Sequence, residues 1–132
     1  MILPDTHTLI WYTTLNPRLG PLADRRIREA IADRDAAFSA ISVWEVALLL
    51  ARRRLTLDVT ALQWRQNLLE AGLIEIPVDG MIAARSVNLA DFHADPADRI
   101  IMATAQAGHQ LITDDRDILN WSGELDRFPA RR

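Results

Sequence analysis

The chain of 132 residues contains no cysteine and no lysine. Without cysteine there is no disulfide framework and no thiolate metal site. Without lysine there is no Schiff base and no P-loop chemistry. No apolar run is long enough to cross a bilayer. The opening Met1-Ile2-Leu3-Pro4-Asp5 lacks the basic segment and apolar core of a secretory leader, so the expected location is the cytoplasm. There is no excess of positive charge either. The net charge is −3 and the isoelectric point about 5.5. That excludes a protein that coats nucleic acid by bulk charge, but not a nuclease whose acids share one pocket.

What is present suits a globular α/β chain. Hydrophobic residues make up 49% and charged residues 25%, enough to build a core. The length suits one domain, 1–132. Strands are expected at Met1-Ile2-Leu3, at Ala36–Ile41, at Leu73–Val78 and at Gln110–Thr113, each a short unbroken apolar run. The tail after Ser122 adds an edge strand at most. Helices are expected between them. Thr6 or Thr8 would cap the first, and the second runs from Leu22 to about Asp33 with Leu22, Ile27, Ala30 and Ile31 on its apolar side. Another follows Ser42. Asp58 would cap one that Gly72 ends, and Asp79 would cap the next. Strands alternating with helices predict a parallel sheet of four or five short strands, covered by helices on both faces.

Asp95-Pro96-Ala97-Asp98-Arg99 reads as the opening of a buried helix. Asp95 is a suitable N-cap, Pro96 suits the first helical position, and Asp98 falls in the first turn. Acids recur at similar junctions. Asp5 follows the first strand, Glu45 falls in the first turn after the second, and Asp114 and Asp115 follow the fourth. Ligand sites of open α/β sheets lie outside the carboxyl ends of the strands. Each acid also has a local explanation. Ser42-x-x-Glu45 fits a capping box, Asp98 fits helix-end electrostatics, Asp114 or Asp115 can cap the last helix, and Asp5 can form an Asx-turn. As a set they point to a metal site, because two such charges 4 Å apart repel by about 4 kcal/mol at an effective dielectric of 20. Oxygen-only ligands favour Mg²⁺, with Mn²⁺ as a substitute.

Four segments carry a resemblance. They are Asp5-Thr6, Ser42-Val43-Trp44-Glu45, His93-x-Asp95-Pro96-x-Asp98-Arg99 and Leu111-Ile112-Thr113-x-Asp115. In order and spacing they resemble the PIN-domain family, and more closely the VapC-type toxins of bacterial type II toxin–antitoxin pairs. The resemblance implies a PIN-like three-layer fold and a toxic Mg²⁺-dependent endoribonuclease. It implies Asp5, Glu45, Asp98 and Asp115 as the catalytic acids, with Asp5 and Asp98 as direct metal ligands. Its Thr-x-Asp pattern selects Asp115 over Asp114. It also implies a VapB-like antitoxin, an RNA substrate, and a homodimer or a hetero-oligomer with the antitoxin. The alternatives are a catalytically inactive PIN-fold binding module and a structure-specific DNA nuclease. Around the acids, His93 is expected to cap or pack, and Arg99 to pair with a neighbouring acid or reach a phosphate. Ser42 and Thr113 can bond to the acids. Arg52-Arg53-Arg54 can guide RNA or simply sit at a helix end. Of the four tryptophans, one exposed ring could anchor a partner helix.

Overall fold

A computed structural model describes residues 1–92 and 95–132. His93 therefore lies outside the described residues. The elements in chain order are β1 (Ile2–Pro4), α1 (Thr6–Thr13), α2 (Pro21–Ala32), β2 (Ala37–Ser39), α3 (Ala40–Ala51), α4 (Ala61–Ala71), β3 (Ile74–Ile76), α5 (Gly80–Val87), α6 (Pro96–Ala105), β4 (Gln110–Thr113), α7 (Arg116–Leu119) and β5 (Arg127–Pro129).

All the strand pairings are parallel. β4 lies between β1 and β5, with Leu3 opposite Leu111 and Ile112 opposite Phe128. β2 pairs with β3, and a single bridge from Ile2 to Ala36 joins the two ladders. The resulting order is β3-β2-β1-β4-β5. Successive strand residues face opposite ways, so each strand supplies both faces. Leu3, Ala37 and Leu111 pack against Ile101, Met102 and Ala105 of α6, and against Ile118 and Trp121. Phe38 turns the other way, onto Leu9, Val46, Trp64 and Leu68 of α1, α3 and α4. Ile112 and Phe128 meet Trp11, Ala23 and Ile27. Helices thus cover both faces of a five-stranded parallel sheet, as the alternation of elements predicts. The tail does contribute an edge strand, β5.

Several helix starts differ from the sequence reading. Asp5 itself caps α1, its carboxylate accepting from the Thr8 N–H, so neither Thr6 nor Thr8 is the cap. Ser39 caps α3, which places Ser42 inside the first turn and Glu45 in the second. The Ser42–Glu45 capping box is therefore absent. The cause is β2, whose ladder ends at the Ser39–Ile76 pair and releases the chain into the helix three residues early. Thr60, not Asp58, caps α4. In α2 the buried stripe is Ala23, Ile27 and Ala30, while Leu22 is 47% exposed. The caps by Asp79, Asp95 and Asp115 stand as the sequence suggests.

Gly20, which precedes α2, touches the C-terminal tail. Its N–H donates to the Ala130 carbonyl at 2.8 Å, and an added Cβ would lie 2.2 Å from the Arg131 carbonyl oxygen. Backbone would have to move to accept it. Gly20→Ala is expected to cost about 1–3 kcal/mol, read as a lower urea midpoint with an unchanged slope.

Candidate active site

The parallel order brings the acids together. β1, β2 and β4 are neighbours and end on the same edge, where Asp5, the start of α3 and Asp114-Asp115 emerge. A helix that returns the chain to a parallel strand runs against the strands, so it begins at their carboxyl edge. α6 precedes β4 and therefore places Asp95 and Asp98 there.

Asp5 is buried, and burial pushes its carboxyl above the usual range. Its two oxygens are held separately. Oδ1 accepts from the Thr8 N–H at 2.9 Å, and Oδ2 accepts from the Thr113 hydroxyl. A carboxylate has about four lone-pair sites, so further ligands still have room. Glu45 is half-buried and is also raised, chiefly by burial, against the lowering effect of its bond from the Thr6 hydroxyl. That hydroxyl also bonds Ser42 Oγ at 2.9 Å. Asp98 is pushed up to about 7, first by burial, then by the charges of Asp95, Glu45, Asp115 and Asp5 in that order. Asp115 caps α7, accepting from the N–H groups of Asp117 and Ile118 at 2.8 and 3.1 Å. Asp114 turns away and pairs with Arg131 at 2.7 Å.

Asp98 thus feels the charges of Glu45, Asp115 and Asp5, Glu45 feels that of Asp5, and among the described residues none of the four has an arginine partner. His7 eases both Asp5 and Glu45. Among the described residues, no three His, Asp or Glu side chains form a ready-made cation cage. The donors still fit a hard divalent ion: every one is a carboxylate oxygen, and none forms an ion pair among the described residues.

Three contributors were missed in the sequence. Thr6 clamps Glu45, Asp95 adds charge that acts on Asp98 and Glu45, and His7 lowers both Asp5 and Glu45. The signal for Thr6 is its place immediately after Asp5, at the first position of α1. The signal for Asp95 is its share of the turn that carries Asp98. Arg99 departs from expectation. It donates to the carbonyls of Ser86, at 3.1 Å, and Phe92, tying α6 to the end of α5 instead of pairing with an acid. A larger cavity of about 670 Å³ lies away from the acids, lined by residues such as Tyr12, Leu57 and Trp64.

The profile of the PIN domain matches residues 2–123. The chain belongs to the PIN-domain family. This PIN domain is 36% identical over 117 residues to Ribonuclease VapC22 of Mycobacterium tuberculosis, with 87% of each chain covered. It is similar in structure to FitAcB from Neisseria gonorrhoeae, with a TM-score of 0.60, 26% identity, and 97% and 96% of the two chains covered. A toxin–antitoxin complex from Klebsiella pneumoniae contains a chain that matches this PIN domain with a TM-score of 0.61 and 25% identity, over 92% and 93% of the two. No helix among the described residues is long and apolar enough to cross a membrane.

Proposed function

We propose that this PIN domain is a toxic endoribonuclease of the VapC type, dependent on Mg²⁺ or Mn²⁺ and restrained by a cognate VapB-like antitoxin. The observation that carries the reading is the group of Asp5, Glu45, Asp98 and Asp115 at one sheet edge, with Asp98 pushed up to about 7 first by burial and then by the neighbouring carboxylates. Kinship with a named ribonuclease supports RNA as the substrate. The toxin–antitoxin assembly among the similar structures supports the antitoxin. We take 1–132 as one PIN domain, since β5 lies beyond the matched residues and still pairs with β4. We read it as a cytoplasmic protein that forms a homodimer or a hetero-oligomer with the antitoxin.

Asp5 and Asp98 would hold the ion. An ion there supplies Lewis-acid stabilisation of the charge that builds on the phosphoryl oxygens. Thr8 and Thr113 preset the Asp5 carboxylate before substrate arrives. Glu45, steadied by Thr6, accepts a proton from the attacking water. Asp115 is our choice for the fourth acid because Asp114 is engaged by Arg131. The bonds at the start of α7 fix its orientation.

The reading is tested by incubating the purified chain with a panel of structured RNAs and with flapped DNA, with and without Mg²⁺. RNA cleavage only with the ion is expected; inertness on every RNA would end the reading. Thr113→Val removes one of the two bonds that orient Asp5. It is expected to raise the Mg²⁺ concentration for half-maximal cleavage by about 10–100-fold. A Mg²⁺ titration of activity measures this.

A further inference from the structure

Beside the acids lies a cavity of about 360 Å³ whose lining includes His7, Trp44, Glu45, Leu48, Arg52 and Arg54. Its size is within the range of small-molecule sites, about 300–1,000 Å³. Trp44, Leu48 and Arg52 follow at four-residue steps and form one row along α3. Trp44 is 55% exposed, whereas Trp11, Trp64 and Trp121 are buried.

The end of α3 brings two arginines to this cavity and excludes the third. Arg53 takes a left-handed conformation at φ 55°, a place where glycine is usual. Its N–H donates to the Leu50 carbonyl at 3.1 Å, and the Arg54 N–H donates to the Leu49 carbonyl at 2.9 Å. This turn folds the chain back over the helix end. Arg52 and Arg54 line the cavity, and Arg53 does not. Neither Arg52 nor Arg54 has a carboxylate within ion-pair distance among the described residues. Favourable charge at a helix end would account for any arginine here. It does not account for an exposed indole on the same row.

The lining of the cavity therefore combines carboxylates, Glu45 and Asp95, with the arginines at the end of α3 and the exposed indole of Trp44. Glu45 and Arg52 are seven residues apart, about 10 Å along the helix axis. That distance separates the arginines from a phosphate lying at the acids and leaves them within reach of a neighbouring one. Bases of single-stranded RNA stack on such aromatic faces, and arginine takes their phosphates.

We propose that this cavity is a subsite for a nucleotide flanking the cut bond, its base stacked on Trp44 and its phosphate held by Arg52 and Arg54. The inference rests on the ribonuclease reading above. It makes Trp44 a determinant of how tightly the RNA is held beside the acids.

The test is steady-state cleavage of a single-stranded oligoribonucleotide by the full chain in Mg²⁺, over a range of salt. Trp44→Ala is expected to raise KM about 5- to 100-fold with kcat little changed, and Trp44→Phe to restore most of the loss. The Arg52→Ala, Arg54→Ala double variant should raise KM and flatten the dependence of log KM on log salt by about 0.7 for the one phosphate lost. Arg53→Gly should leave both unchanged. Parental KM and salt dependence in the Trp44 and double-arginine variants, while the parent cleaves RNA, would overturn the subsite and leave the ribonuclease reading intact. A parent chain inert on all RNA would overturn both. Unchanged KM in Trp44→Ala together with loss of self-association or antitoxin binding would make the face a protein interface and overturn the subsite.

Discussion

Asp5→Asn lowers kcat for RNA cleavage by about 1000-fold or more, with the fold retained. The magnitude follows from the loss of charge where an ion must be held and phosphoryl charge offset. The amide keeps the shape of the carboxylate, and its oxygen can still accept from the Thr8 N–H that begins α1. The Thr113 hydroxyl can turn to accept from the new amide. Burial disfavours the charged Asp5, so the variant is expected to be at least as stable as the parent. Circular dichroism and a urea midpoint at or above the parental value, alongside lost cleavage, separate this outcome from misfolding.

Asp98→Asn stabilises the metal-free protein at pH 8 and removes much of its pH dependence. In the unfolded chain Asp98 ionises near its ordinary value of 3.8, and in the folded chain at about 7. Between those values the folded state binds more protons than the unfolded state. Stability from this group is therefore greatest in acid and declines as pH rises from about 4 to about 7. Asp98 remains partly open to solvent, so the full shift is discounted for screening. About 1–3 kcal/mol remains, or several degrees in Tm. Mn²⁺ or Mg²⁺ relieves the same repulsion, so either ion should raise Tm more at pH 8 than at pH 5. Urea unfolding at the two pH values, with and without the ion, measures all of these effects.

The strands were legible because a parallel sheet covered on both faces needs short apolar runs on both its faces, and β1, β2 and β4 are such runs. The start of α6 was legible because Asp95-Pro96 offers one cap and one first position. Other starts were not, because the local signals repeat. Ser39 and Ser42 both precede apolar helix, and the choice between them depends on where β2 stops pairing with β3. Asp58 and Thr60 compete in the same way. Arg99 shows a second reason. Its partners are main-chain carbonyls at the end of α5 and at Phe92, and no pattern of side chains announces a carbonyl. The candidate acids were legible one by one as residues at strand and helix ends. That strand ends of a parallel sheet gather them at one edge was legible too; which acid is raised most was not, since it depends on burial and on α6 starting at that edge. Nor was the exposure of Trp44, because α3 is apolar nearly all round and its sequence does not say which side the sheet covers.

The most direct measurement is anomalous scattering from a crystal of the chain soaked in Mn²⁺. The account predicts a manganese peak touching the carboxylates of both Asp5 and Asp98. A manganese-saturated crystal with no peak between them, each carboxylate bonded only within the protein, would contradict it.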